Sequence, residues 1–300
     1  MTDIFTLAQR PDETLFFNKG DPSDRRLGEF VLHGSETDAY KTAQVIILGC
    51  PQDEGVRRNK GRPGAALAPD EIRRAFYKLT PTVIESIPLF DLGNTMIQSS
   101  LEATHETHRE IVRQVLRDGK TLITLGGGND LSYPDASALA LEQPPILAFN
   151  IDTHFDVRSD VPCNSGTPYR QLLDEGFVTP LNFYEMGYHL FANSPVYLDY
   201  LRYLNVQVCT LEQLREFTIS GHFQNILSES DVASVFWGFD VDVVCAADAP
   251  GVSAPNPVGM TGTEFCQIAR LAGQEPRTRL IEFTEMNPTF DIDGRTARLV

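Results

Sequence analysis

Apolar residues in this chain follow two patterns: short unbroken runs, and longer stretches in which they return every three or four positions. The runs at 45–49 (Val-Ile-Ile-Leu-Gly), 121–125 (Thr-Leu-Ile-Thr-Leu) and 145–149 (Pro-Ile-Leu-Ala-Phe) are too short for helices and lack the polar alternation of a half-exposed strand. They predict strands buried on both faces, as in a parallel sheet. Further strands are expected at 88–93, 181–188, 206–209, 236–239 and 279–285. Helical spacing appears between them. Pro69 opens a helix over 69–79 whose apolar face is Ile72, Ala75, Phe76 and Leu79, and Ile111, Val112, Val115 and Leu116 mark another over 101–118. Helices are also expected after the loop at 163–170, at 195–204, at 263–272, and starting within the last ten residues. His105 and His108 on the second helix read as exposed. Strand and helix alternate throughout, which predicts an α/β fold. Residues 1 to about 40 show no period and carry Pro11, Gly20 and Pro22, so they read as an irregular lead-in wrapping the rest. With no linker, repeat or low-complexity segment, residues 1–300 read as a single domain.

Several strands end in acids. The run at 145–149 leads into Asp152-Thr153-His154-Phe155-Asp156, and 236–239 leads into Asp240-Val241-Asp242. Strand spacing i, i+2, i+4 would put Asp152, His154 and Asp156 on one face. Two carboxylates and an imidazole beside a core strand are costly to bury bare, and a metal ion would remove that cost. A short Asp-x-His-x-Asp alone is as easily a solvated strand end. Repetition of the design at Asp240 and Asp242 favours the metal, because open parallel sheets bind ligands beyond the carboxyl ends of their strands. Four Asp and one His make a hard, oxygen-rich set suited to Mn²⁺, and two ions about 3.5 Å apart could lower the pKa of a shared water toward neutrality. The run at 121–125 ends in Gly126-Gly127-Gly128-Asn129-Asp130, where a further ligand could enter, and the last strand ends at Glu285. No Lys-Ser/Thr ending follows the glycines, so they do not read as a phosphate loop. The loop at 51–64, with Arg57, Arg58, Lys60 and Arg62, and the pair Arg158 and Arg170 supply cations near the same edge. Guanidinium groups there suit a substrate carboxylate.

Composition removes some partners. A formal net charge of -16 argues against nucleic acid or an anionic membrane surface. No stretch approaches the roughly 18 apolar residues of a spanning helix, and the N-terminus lacks the basic and apolar regions of a secretory signal. Five cysteines without a C-x-x-C pair fit reduced thiols and a cytoplasmic setting.

Together these motifs resemble the ureohydrolase family of arginases, agmatinases and formimidoylglutamases, from about residue 44 to the end. Its Asp-Ala-His-x-Asp motif stands here as Asp152-Thr153-His154-Phe155-Asp156, its Ser-x-Asp-x-Asp as Gly238-Phe239-Asp240-Val241-Asp242, and its Gly-Gly-x-His as Gly127-Gly128-Asn129. The loop from Asp53 to Ala65, the stretch Ser165-Gly166-Thr167-Pro168 and the stretch Ala249-Pro250-Gly251-Val252-Ser253-Ala254-Pro255 look most like the formimidoylglutamase branch. Ser165 also stands where arginases and agmatinases usually carry a proton-shuttling histidine. The resemblance implies a three-layer α/β/α sandwich around a parallel, mostly eight-stranded sheet, assembly as a trimer or hexamer, and hydrolysis of a C–N bond in a linear amidine. The implied substrate is N-formimidoyl-L-glutamate, split to L-glutamate and formamide in histidine degradation.

By position, the resemblance implies two Mn²⁺ ions held by Asn129, Asp152, His154, Asp156, Asp240 and Asp242, with Asp152 and Asp240 bridging. Asp156, His154 and Glu285 become the catalytic set, Glu285 gripping the amidine cation, and Arg58, Arg158, Asn164, Ser165 and Arg170 the substrate-binding set. Asn129 replaces the histidine that normally binds the first ion, so occupancy of that site is expected to be weak. Two alternatives remain at this stage: an agmatinase or other guanidine hydrolase, which the arginines disfavour, and a metal-poor relative without catalysis.

Overall fold

The apolar runs form the centre of one sheet, and alternate residues of a single strand serve different cores. Trp237 and Phe239 pack into one apolar cluster with Phe149, Phe223, Phe265 and Ile268. Phe236, between them in the chain, packs into the other with Phe90, Ile111, Val115, Leu122 and Leu280. This period of two places the sheet between two layers of helices. The computed structural model describes residues 3–34, 37–82, 84, 86–216 and 218–300. Its strands are β1 (Ala8–Gln9), β2 (Leu32–His33), β3 (Val45–Gly49), β4 (Leu89–Thr95), β5 (Thr121–Leu125), β6 (Ile146–Ile151), β7 (Phe183–Tyr188), β8 (Gln207–Thr210), β9 (Ser234–Asp240) and β10 (Thr278–Thr284). They lie in the order β1-β4-β3-β5-β10-β9-β6-β7-β8, with β2 also beside β4.

The eight strands from β3 to β10 are parallel, as the sequence led us to expect. The lead-in adds two more. β1 pairs antiparallel with the end of β4 (Ala8 opposite Thr95), and β2 pairs parallel with its first half (Leu32 opposite Phe90). Two-residue strands carry no periodicity, which is why they read as irregular. The helices Leu101–Arg117 and Ser132–Glu142 cover one face of the sheet, and Ala68–Phe76, Ile219–Glu229 and Gly262–Gln274 cover the other.

His105 and His108 are buried, contrary to the exposed positions expected for them. They share the inward face of Leu101–Arg117 with Ile111, Val112 and Val115, and each meets an acid that lies far away in sequence. His105 Nε2 is 2.6 Å from Asp130 Oδ2, and His108 Nε2 is 2.9 Å from Asp135 Oδ1. Thr95 holds the other ring nitrogen of His108 at 2.6 Å.

The connection order fixes where a site can form. From β5 the chain neighbours lie outward on one side (β3, β4), and from β6 they lie outward on the other (β7, β8). β9 and β10 fill the gap between β5 and β6, so the strand order reverses there, and ligands of open α/β sheets gather at such a point. Gly127 lets the loops after β3 and β5 cross, since a Cβ there would lie 1.6 Å from Gln52 O.

A buried ion pair ties the helix Ala68–Phe76 to β4. The Arg73 guanidinium meets both Asp91 oxygens, Nε to Oδ2 at 2.8 Å and Nη2 to Oδ1 at 2.9 Å, and neither side chain is exposed. Arg73 also donates to Gly93 O, at the bulge in β4, and Tyr77 OH donates to Asp91 Oδ2. Asp91→Ala would strand a buried guanidinium, a loss of roughly 3–5 kcal/mol. Thermal unfolding should show a clearly lowered Tm, and an unchanged Tm would mean that the pair contributes nothing net.

Candidate metal centre

Turns, rather than a continuing strand, gather the acids. β6 ends at Ile151, and the Asp152 carboxylate then accepts the His154 backbone N–H at 2.7 Å; Asp240, the last residue of β9, accepts the Asp242 N–H at 2.9 Å. Each aspartate thus folds the chain back on itself two residues later, a turn that Asp favours. Both acidic clusters therefore turn back beside the same gap in the sheet. Asp152, Asp156 and Asp240 each bring a carboxylate oxygen, and Asp152, His154 and Asp242 each bring a donor atom, to within 4.8 Å of one another. Of the two carboxylates expected to bridge, Asp152 belongs to both groups and Asp240 to the one with Asp156. His154 Nδ1 lies 3.3 Å from Asp242 Oδ2 and 3.4 Å from Asp152 Oδ1.

Burial makes this cluster electrostatically expensive. Burial first, and then the charges of Asp156 and Asp242, push Asp152 up to about 8. Burial and the neighbouring acids raise Asp240 as well. Burial raises Asp156 to about 6, against the opposing pull of His154 and of the Asn129 amide. For His154 burial disfavours the cation, yet Asp242 and Asp152 overcome it and hold the ring up at about 12. Asp242 Oδ1 is buried with no hydrogen-bond partner among the described residues. An orphaned carboxylate oxygen beside mutually repelling acids is the environment that a bound cation neutralises, and donors of oxygen with one imidazole suit hard divalent ions. The residues present therefore fit a pair of such ions.

Asn129 departs from its expected role. Its amide oxygen accepts from Ser132 Oγ at 3.0 Å and from Thr284 Oγ1 at 2.9 Å, while its Nδ2 donates to Asp156 Oδ2 at 2.7 Å. Turning the amide over would set two oxygens face to face. The side chain is thus satisfied as a donor to a carboxylate and does not present its oxygen as a ligand. Its backbone N–H donates to Glu285 Oε1 at 2.8 Å, which fixes Glu285 beside the cluster. Burial raises Glu285 to about 8, with Ser253 and the Asn129 N–H working against that rise.

The cluster opens into a cavity of ≈ 430 Å³. Glu285, Asp156, Arg158 and Ser165 line it, and Ser165 Oγ accepts from Asn59 Nδ2 at 3.1 Å. Three other expected substrate residues do not. Arg170 pairs with Asp174 at 2.6 Å and stacks over Tyr200, because both partners lie within reach of its own helix face. Arg58 is held by Glu54 and Glu102 and by Cys163 O, tying the helix Glu54–Arg58 to the start of Leu101–Arg117 and to the loop at Cys163. Asn164 is spent inside its loop, donating to Asp160 at 3.1 Å and accepting from Gly166 N at 2.9 Å. The cavity instead takes Lys60, Asn193 and Tyr197, which the sequence did not single out as ligands of a substrate. Behind Asp152, fully buried Asn150 donates to Glu185 at 2.8 Å, a pairing across two strands with no signal in sequence. Strain concentrates here too. Of the five non-glycine residues with positive φ among those described, Lys60, Asp156 and Glu285 all line the cavity.

Known proteins are similar to this chain along nearly its whole length. Curated formimidoylglutamases from Rhodococcus jostii and Staphylococcus carnosus are each 32% identical, over 278 and 272 residues, covering 87% and 89% of this chain and 84% and 86% of theirs. The crystal structure of Trypanosoma cruzi formiminoglutamase with Mn²⁺ superimposes with a TM-score of 0.85 at 30% identity, covering 92% of this chain and 94% of that one. Formimidoylglutamase from Bacillus subtilis gives 0.86 at 26% identity, covering 93% and 89%. A sequence model of the arginase family matches residues 43–300, and the chain belongs to that family.

Proposed function

We propose that this chain is a binuclear manganese hydrolase of linear amidines that converts N-formimidoyl-L-glutamate to L-glutamate and formamide. The observation that carries this reading is the buried cluster in which Asp152 serves two donor groups, beside a cavity lined by both a buried acid, Glu285, and a guanidinium outside any ion pair, Arg158. The formimidoylglutamase identity of its relatives supports the substrate. Asp152, Asp156, Asp240, Asp242 and His154 would hold the ions. When bound there, two Mn²⁺ ions supply Lewis acidity that brings the pKa of water toward neutrality.

The chain's own groups supply orientation and proton transfer. Hydrolysis places the oxygen of water on the amidine carbon and breaks its bond to the glutamate nitrogen. Glu285, pinned through Oε1 by the Asn129 N–H, receives the amidinium N–H donors in a charge-assisted contact. Asp156 is held through Oδ2 by Asn129, leaving Oδ1 to take a proton from the attacking water and return it to the departing nitrogen. Arg158 draws a substrate carboxylate to the mouth, and agmatine, a cation with none, would be repelled there. The same proposal includes a single catalytic domain, assembly as a trimer or hexamer, and a cytoplasmic setting, the last supported by five free cysteines and by the lack of any described helix long and apolar enough to cross a membrane.

The proposal is tested by assaying Mn²⁺-loaded protein for glutamate and formamide release from N-formimidoyl-L-glutamate. Asp240→Ala should abolish that release and lower Mn²⁺ content; full activity with two ions bound would sink the metal cluster as the site. Asn129→Ala should lower kcat roughly 10-fold, the worth of one hydrogen bond to a charged group, while Mn²⁺ stays at the wild-type content. Loss of an ion instead would make Asn129 a ligand.

Proton linkage gives a further expectation. Below the ordinary carboxylate range, folded and unfolded chains both hold these protons. Above it the unfolded chain releases them, while Asp152 and Glu285 keep theirs up to about 8. The folded state then binds more protons, so metal-free stability falls as pH rises. His154, held at about 12, adds to the same slope once pH passes the ordinary imidazole range. The metal-free Tm should therefore drop between about pH 5 and about pH 8, and the Tm gained on adding Mn²⁺ should grow over that interval as ions displace protons. A metal-free Tm that is flat or rises with pH would contradict this.

A further inference from the structure

We propose that Lys60 is a specificity-determining anion anchor of the cavity, acting with Arg158 to fix both carboxylates of a dicarboxylate amidine; this rests on the functional reading above.

The first ground is charge accounting. The chain has 25 Lys and Arg against 41 Asp and Glu, so a basic side chain readily finds an acid. The basic residues flanking Lys60 have done so or are otherwise engaged. Arg57 lies 3.6 Å from Asp53 and from Glu54, Arg58 pairs with Glu54 and Glu102, and Arg62 donates to the Ser253 and Val252 carbonyls and sits over the Phe290 ring. Lys60 and Arg158 have no ion pair and no side-chain hydrogen bond among the described residues, and both line the cavity. Its other lining charges are the metal-cluster residues and Glu285. A mouth with two free cations, above a floor of acids, suits a ligand with an amidine cation at one end and two negative charges at the other.

The second ground is the backbone. The helix Glu54–Arg58 closes with Lys60 N–H donating to Arg57 O at 3.0 Å and Gly61 N–H to Val56 O at 2.9 Å. In that closure the left-handed position usually falls to glycine, yet here it is Lys60, at φ 63°. A glycine would adopt this φ without the Cβ conflict, so the turn by itself gives no reason for a lysine. The turn is also clamped to the loop that carries the opposite wall. Asn59 donates to Ser165 Oγ, and Ser165 N–H donates to Gly55 O at 3.1 Å. Gly166, the next residue, packs directly on the Arg158 side chain, where a Cβ would lie 2.7 Å from Cδ. Lys60 and Arg158 are therefore carried by two loops locked to each other. Arginine offers a planar fork to one carboxylate and lysine a compact charge to another.

The test uses the Mn²⁺-loaded enzyme with three substrates: N-formimidoyl-L-glutamate, N-formimidoyl-L-glutamine, which neutralises the side-chain carboxylate, and 4-(formimidoylamino)butanoate, which lacks the other one. Lys60→Gly suits the turn and should fold as wild type does. It should raise KM for the dicarboxylate about 10-fold to 100-fold, the worth of one charged contact, with kcat held within about 3-fold. Lys60→Arg should keep KM near the wild-type value. The Lys60→Gly penalty should shrink to less than about 3-fold on one of the two monocarboxylates, since deleting the anchor no longer matters once its carboxylate is gone. If wild type hydrolyses the dicarboxylate but Lys60→Gly leaves KM unchanged, or penalises all three substrates equally, the anchor is overturned while the functional reading stands. If wild type hydrolyses none of the three, that reading fails and the anchor with it.

Discussion

Like-charged carboxylates held out of water beyond the ends of β6, β9 and β10 are the constraint on which the structure turns. Asp152, Asp240, Asp242 and Glu285 are all nearly inaccessible to solvent. Such a group survives folding only if the surrounding chain is rigid enough to keep its members from moving apart, and if something positive offsets their repulsion. The sheet provides the rigidity. Strands β9 and β10 pair over six registered positions, ending with Asp240 opposite Thr284, so Asp240 and Glu285 leave the sheet side by side. His154 supplies part of the offset, and the orphaned Asp242 oxygen marks where more is needed. Positive φ at Asp156 and Glu285 shows the same constraint in the backbone, because the chain accepts disfavoured conformations to aim these two acids.

What could be read from the sequence followed a simple rule: features whose partners are close in the chain were legible. The strand expected at 121–125 is Thr121–Leu125, and the helix expected at 195–204 is Pro195–Tyr203. The two acidic clusters were visible because each is a single turn of chain. The hydrogen bonds that orient the Asn129 amide were not legible, because its partners Ser132 and Thr284 include one 155 residues away. His105 and His108 were misplaced for the same reason, their acids lying 25 and 27 residues further on.

Arginine placement failed differently, since the relevant signal was local. Arg170 and Asp174, like Arg58 and Glu54, stand four positions apart on a helix, the spacing at which opposite charges meet. Weighing that spacing would have removed both from the substrate set. Lys60 was hidden in the opposite way: among so many basic neighbours, only three-dimensional pairing separates the free cation from the engaged ones.

The lead-in strands touch none of this chemistry, yet they change how the molecule meets its neighbours. β2 pairs with the first half of β4 and β1 with the second, and Gly93 at φ 92° gives β1 room to pass. Between them they occupy backbone donors and acceptors that would otherwise form a seven-residue open template on one side of a highly apolar sheet. Two short strands in a stretch that looked featureless thus keep another molecule from adding a strand to β4, leaving the four-residue β8 as the longest open edge among the described strands.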